Sequence, residues 1–311
     1  MHIVKRAALW GGLGALWVGS LASFGGPLWW RFALLSHFRV HMLLTALVFA
    51  LGFALTRWRA GWVGALLVAA LHGAGIGSVL WSRPPLEAAP AEGAQTLKVL
   101  SVNVLGENPD TARLLALIEA EQPDIIAVQE VRAHAAAALA GLTAYPHRLI
   151  IPQPDNFGIG LLSRAPLTDL ELHHWEGFVS VSGYVQPSGP WVLVTHPPPP
   201  MSARQTQTRD RVLEEVGAKA RGMTSAVVAG DLNQTPWAVG FGGWLRDARL
   251  REARPRWSFT TTWPSGSLLW AGITIDHVLI TDDWHLSGYE VGPDVGSDHR
   301  PVIVTIWRAA P

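Results

Sequence analysis

Six short segments of this 311-residue chain place acids, carboxamides or histidines where an apolar run ends or begins. Asn103 closes LKVLSVNV, Glu130 falls near the end of DIIAVQEV, and His196 follows WVLVT. Asp231 and Asn233 come just after AVVAG, Asp276 and His277 interrupt ITIDHVLI, and Asp298 and His299 precede PVIVTI. Charge inside a core is costly unless it is paired or bound to metal. If the apolar runs are neighbouring strands, their ends bring several oxygen ligands to one point. Such a set suits Mg²⁺ or Mn²⁺, which prefer carboxylate, carbonyl and water ligands.

Taken singly, each residue has an ordinary reading. Asn103 fits a turn, Glu130 a helix cap, GDLN a Gly-Asp/Asn turn, and THPPPP a strand running into polyproline. SDHRP fits a cap-like turn before a strand, and Asp276 with His277 a hydrogen-bonded pair in the core. Their order and common context carry the argument for a site.

The elements that must position these residues lie in the second half. Residues 97–104 and 124–131 read as buried strands, with further strands near Phe157–Leu162, Phe178–Val185, Trp191–Thr195, Ala226–Ala229, Ile273–Ile280 and Pro301–Ile306. A helix opens after Pro109 and Asp110, an Ala-rich helix follows the second strand, and 202–221 is the clearest long helix. Some strands alternate with helices and others follow one another directly. That mixture fits a two-sheet core with helices outside better than a single doubly wound sheet.

The first half has another texture. Residues 1–86 carry seven basic side chains and no acidic one, which leaves a net charge of −7 on the remaining 225 residues. Three apolar stretches, Ala7–Trp30, His41–Thr56 and Gly61–Trp81, are expected to be transmembrane helices. Lys5 and Arg6 before the first stretch point the N-terminus inward, and three crossings would put everything after Arg83 outside the cytoplasm. The expected organisation is a membrane anchor over 1–82, a Pro/Ala/Glu-rich linker over 83–96, and a catalytic domain over 97–311. The absence of cysteine excludes a disulfide framework, a Cys-ligated zinc site and a thiol nucleophile.

In order, VNV, VQEV, THP, GDLN, IDHVL and SDHRP resemble the motifs of the endonuclease/exonuclease/phosphatase superfamily, and the run of four prolines after His196, together with the three expected membrane spans, resembles its bacterial membrane-anchored branch. The resemblance covers about Leu97 to Trp307. It implies a DNase I-like four-layer α/β sandwich of two packed β-sheets flanked by helices, and metal-dependent hydrolysis of a phosphoester. It further implies Glu130 as the main carboxylate metal ligand, with Asn103 beside it and Asp298 completing or supporting the sphere. Asp231 would take a proton from the attacking water, and Asn233 would place that water or a phosphate oxygen. His299 would contact the phosphoryl group, oriented by Asp276, and His196 would act near the leaving oxygen. Arg209 and Arg211 are open between a contact to substrate phosphate and ordinary solvated helix positions.

The resulting expectation is a membrane-tethered, divalent-metal-dependent phosphoester hydrolase on the outer face of the bacterial cytoplasmic membrane. Its partners would be the lipid bilayer and a small or lipid-linked phosphoester. The same residues would also serve a surface nuclease on DNA or RNA, although a net charge of −7 argues poorly for a groove that tracks a polyanion. A non-catalytic membrane binding protein is a third reading.

Overall fold

Apolar helices come first in the chain and also in the computed structural model, which describes residues 2–26, 28–89, 92–266 and 271–309, with the side chains of 2–6 excepted. The elements in chain order are α1 His2–Ala22, α2 Trp30–Ser36, α3 Arg39–Leu55 and α4 Arg59–Ser82. There follow β1 Ala94–Asn103, α5 Ala112–Glu121, β2 Ile125–Gln129, α6 Ala133–Ala140, β3 His147–Ile151, β4 Ile159–Ser163 and β5 Leu167–Trp175. Then come β6 Phe178–Val185, β7 Trp191–Thr195, α7 Ala203–Arg221, β8 Ala226–Asp231 and α8 Phe241–Asp247. The last are β9 Arg251–Glu252, β10 Asp276–Ile280, β11 His285–Val291 and β12 Val302–Ala309.

The chain divides into two compact units. One is Met1–Ser82 with Thr235–Gly242, and the other is Arg83–Gln234 with Gly243–Pro311.

In the helical unit, α4 is the one described helix that alone is long and apolar enough to cross a membrane. α2 and α3 reach that length only as a pair bent by 65°. The apolar stretch expected over 7–30 is helical as far as Ala22, where α1 ends, and the chain then turns at Gly25 and Gly26 before α2 begins at Trp30. Paired glycines raise the entropic cost of continuing a helix, and Pro27, which lies outside the described residues, has no N–H to give. Inside the unit, Leu13, Ala50, Phe53 and Ala65 pack together. The inserted segment 235–242 brings Trp237 against Ile76 and Leu80. Its backbone is tied by Thr235 N donating to His37 Nδ1 and Val239 N to Ser36 Oγ, each at 3.3 Å.

The second unit is built from two six-stranded sheets, ordered β11-β12-β1-β2-β4-β3 and β5-β6-β7-β8-β10-β9. Each has one parallel pair near its middle, β1 with β2 and β7 with β8, because α5 and α7 supply the crossovers that parallel strands require. The neighbours outside these pairs run antiparallel. Period-two alternation divides each strand between layers. Val99, Ile125, Ala127, Val192, Val194, Val227, Val278 and Val304 fill the space between the sheets. Leu100, Val102, Ile126 and Val128 face outward onto Leu114 and Ile118 of α5 and Leu139 of α6. α7 buries Val212, Leu213 and Val216 and contacts β5 and β7. Its first turn is capped by Ser202 Oγ, which accepts from Gln205 N at 3.1 Å.

Residues 83–96, read from the sequence as a linker, make defined contacts at both ends. Glu87 N donates to Leu286 O at 2.7 Å, Trp307 Nε1 donates to Glu87 O at 3.1 Å, and Ala94 already pairs with Ala309 in β1.

Candidate active site

The ends of the two parallel pairs carry the candidate residues. Asn103 ends β1 directly beside Gln129 of β2, so Glu130 emerges one residue further on the neighbouring strand. Glu130 holds a left-handed backbone with φ of 61°, an uncommon state for a side chain with a Cβ and a cost tolerated mainly at functional positions. Its Oε1 accepts from Asn103 Nδ2 at 2.9 Å and its Oε2 from Gly106 N at 3.1 Å. Asn103 is oriented by its own Oδ1, which accepts from Leu105 N at 3.0 Å.

In the other sheet, Asp231 ends β8 opposite Asp276 of β10. Glycine precedes it for a physical reason: at Gly230 φ is 153°, and a Cβ would fall on the Thr195 carbonyl oxygen. Asp231 Oδ2 accepts from Asn103 Nδ2 at 3.2 Å, and Oδ1 from Asn233 N at 2.9 Å. One amide group of Asn103 thus receives carboxylate oxygens from both sheets.

His196 follows β7. Its Nδ1 lies 3.1 Å from Asp231 O, and its Nε2 lies 3.7 Å from Glu130 Oε1. His299 places Nδ1 2.9 Å from Asp276 Oδ2 and Nε2 3.6 Å from Asp231 Oδ2. Burial alone would push the His299 imidazole down, but Asp276, then Asp231 and Asp298, outweigh it and raise the pKa to about 10. Burial pushes the Asp231 carboxyl up, and Asp276 adds to that, against the lowering influence of His299, His196 and the Asn233 N–H. A raised carboxyl is a better proton acceptor for water.

Six of the eight residues given a role by the resemblance therefore converge: Asn103, Glu130, His196, Asp231, Asp276 and His299. The other two stand differently. Asn233 spends its Nδ2 on Pro197 O at 3.0 Å. Asp298 is about half exposed, accepts from Trp263 Nε1 at 3.0 Å, and approaches the cluster through His299 Nε2 at 4.0 Å.

Asp231, Asp276 and His299 offer ligand atoms within 4.8 Å of one another, a spacing compatible with a metal ion. A protonated imidazole is no ligand, however, so holding a cation falls to the oxygens. The convergence of Glu130 Oε1 and Asp231 Oδ2 on one partly positive amide marks a negative spot of the chemistry a divalent cation takes. Arg209 is a buried support: paired with Asp210, it donates Nη1 to Asn233 O at 3.3 Å. Arg211 is exposed and pairs with Glu176 at 3.3 Å.

Three supports had no signature in the sequence. Thr262 Oγ1 accepts from Ile275 N at 3.1 Å and Asp276 N at 3.3 Å, Trp263 holds Asp298, and the Gly106 N–H holds Glu130. All three come from loops, where only the fold decides what a hydroxyl or an N–H meets.

The comparisons agree with this geometry. Residues 100–299 match the family described as Endonuclease/Exonuclease/phosphatase family. No curated protein matches the chain. Among solved structures, an endonuclease/exonuclease/phosphatase from Beutenbergia cavernae is similar at 21% identity and a TM-score of 0.56, covering 68% of this chain and 71% of that one. Sphingomyelinase C from Streptomyces griseocarneus is similar at 19% identity and a TM-score of 0.52, covering 68% and 99%. A 3′ phosphatase from Neisseria, bound to a product DNA hairpin, is similar at 18% identity and a TM-score of 0.51, covering 67% and 98%. With its two packed sheets and the acids, amide and histidines gathered at their strand ends, the chain belongs to the endonuclease/exonuclease/phosphatase family of hydrolytic enzymes.

Proposed function

We propose that this protein is a membrane-tethered, divalent-cation-dependent phosphoester hydrolase that acts outside the cytoplasm on a small or lipid-linked phosphoester. The observation that carries the reading is the single constellation formed across both sheets by Asn103, Glu130, His196, Asp231, Asp276 and His299.

In-line displacement at phosphorus needs positioning and neutralisation of oxygen charge more than covalent chemistry by the protein. Asp231, with its carboxyl raised by burial, accepts the proton of the attacking water. His299, held cationic by Asp276, donates to the phosphoryl oxygens. His196, fixed by the Asp231 carbonyl, faces the leaving oxygen. Asn233 lines the same loop, and its Oδ1 is the atom it would offer to water. Glu130 and Asn103, with Asp298 at the rim, would hold Mg²⁺ or Mn²⁺, which when bound neutralises phosphoryl charge.

Tethering is supported by α4 and the bent pair of α2 and α3; the outward face adds α1 as a third crossing, with Lys5 and Arg6 ahead of its apolar stretch on the inner side. A lipid-linked substrate is supported by those apolar helices and by the likeness to a sphingomyelinase. The net charge of −7 after residue 86 supports a small ester over nucleic acid.

The test is a hydrolysis panel on the full chain in detergent micelles, with phosphomonoesters, phosphodiesters, lipid pyrophosphates and plasmid DNA. Turnover of a small or lipid ester is expected, abolished by EDTA and restored by Mg²⁺ or Mn²⁺. Full activity in chelator would refute the cation requirement, and cleavage of DNA alone would replace the substrate class with the nuclease reading.

A further inference from the structure

Beneath the loop carrying Asp231 and Asn233 lies a chain of buried charge that the proposed reaction does not use. His277 follows Asp276 on β10 and so faces the opposite side of that strand. Its Nε2 donates to Gln234 O at 2.8 Å, and its Nδ1 lies 3.3 Å from Glu252 Oε1. Glu252 Oε2 accepts from Arg83 Nε at 2.8 Å, and Arg83 Nη1 donates to Ser258 O at 2.9 Å. Arg254 stands beside them, donating Nε to Ser258 Oγ at 3.3 Å and Nη2 to Thr260 O. Arg83, Glu252, Arg254 and His277 are 2%, 4%, 3% and 3% exposed. Burial would raise the Glu252 carboxyl, but Arg83, His277 and Arg254 hold it well below the usual carboxylate range.

The two ends of this chain are informative. Arg83 is the residue after Ser82, where α4 ends. Gln234 is the last residue before the polypeptide leaves the sandwich unit for the segment Thr235–Gly242. The charged chain therefore joins the point where the polypeptide enters the sandwich to the point where it leaves after Gln234. Buried ion pairs contribute little net stability compared with apolar packing, so their value lies in fixing one geometry. Here that geometry belongs to the loop holding the catalytic base.

We infer that Arg83, Glu252 and His277 are positioning residues: through the Gln234 carbonyl they fix the Asp231–Gln234 loop, so that the first residue of the sandwich unit helps set the placement of the catalytic base. The activity arm of the test rests on the proposed hydrolase reading, and the exchange arm does not.

The experiment uses the full chain in detergent micelles, wild type beside His277→Phe, His277→Gln and Arg83→Lys. Phe keeps a ring and removes both donors, Gln keeps an amide for the Gln234 carbonyl, and Lys keeps the charge but loses the guanidinium fork. The readouts are kcat and KM on bis(p-nitrophenyl) phosphate with Mg²⁺, the unfolding midpoint, and amide hydrogen exchange over 226–235. His277→Phe is expected to lower kcat at least about tenfold with KM nearly unchanged, because small displacements of a catalytic group are costly. Exchange at 231–235 should speed by about tenfold or more while the body of β8 stays protected. His277→Gln should recover most of both losses, and Arg83→Lys should fall between it and His277→Phe.

A folded His277→Phe with wild-type kcat and wild-type exchange would overturn the inference. So would losses that follow the unfolding midpoint and spread evenly over every strand. If His277→Phe does not fold, Arg83→Lys decides by the same measurements, and wild-type values there overturn it. If the wild type turns over no phosphoester, the hydrolase reading falls while the exchange arm still decides this one.

Discussion

Replacing Asp276 by Asn tests the charge on His299 directly. The His299 ring is 5% exposed, with Nδ1 at 2.9 and 3.2 Å from the two Asp276 oxygens and Nε2 at 3.6 Å from Asp231 Oδ2. Its folded pKa of about 10 lies above the 6.5 of a free imidazole. A folded pKa above the unfolded one adds stability that is fully present below the unfolded value and is lost as pH rises through the folded value. The window therefore opens near 6.5 and closes near 10. At about 1.4 kcal/mol per pH unit, its full depth is on the order of 5 kcal/mol. Asp276→Asn keeps the shape and a hydrogen-bonding group but deletes the largest raising charge, leaving Asp231 and Asp298 to act alone. Most of the window should close. The assay is chemical unfolding of the full chain in micelles with EDTA, from about pH 6 to about pH 10. Wild type should lose several kcal/mol more than the variant across that range, and the alkaline limb of its rate profile, with Mg²⁺ present, should lie at higher pH. Parallel stability curves for the two proteins would refute the reasoning.

Other substitutions separate the remaining roles. Asp231→Asn keeps size but removes the basic oxygen, and turnover should fall by about 10²–10⁴-fold in single-turnover assays. Retention of near wild-type turnover would reject Asp231 as the base. Glu130→Gln, which still accepts from Gly106 N, should weaken Mg²⁺ binding in calorimetric titration because an anionic ligand becomes neutral. Gly230→Ala should destabilise the fold by about 1–3 kcal/mol in urea, since its Cβ meets the Thr195 carbonyl. For the tether, a phosphatase reporter fused after Arg83 should be active outside the cytoplasm and one at Ala60 silent, and the opposite pattern would reverse the orientation.

The sequence was most legible where burial is two-sided. β1, β2, β7 and β8 are almost wholly buried over their central residues, so their apolar runs and polar ends stood out together. β3, β5 and β11 escaped notice because each is half-buried at or next to a sheet edge, with mixed residues such as LTDLELHHW that carry no single pattern. The same limit applies around the site. Asn103 and Glu130 are conspicuous as polar residues ending apolar strands, whereas Thr262 and Trp263 look like any loop residues until the fold sets them against Asp276 and Asp298. Arg83 reads as the start of a Pro/Ala/Glu-rich linker because nothing local announces Glu252, which lies far along the chain.

The two sheets share a central pattern, in which a parallel pair bridged by a helix is flanked on each side by an antiparallel strand. One such half supplies Asn103 and Glu130, and the other supplies His196 and Asp231. The gap across which these groups must meet is therefore set by the thickness of the layer between the sheets, not by any loop. Val99, Ile125, Val194 and Val227 act as spacers in that sense. Interiors resist compression, and their voids close only partly when a side chain is trimmed. A Val→Ala change in this layer, far from phosphorus, would thus retune the separation of the two halves, and substrate turnover would register the change in spacing alongside any loss of stability.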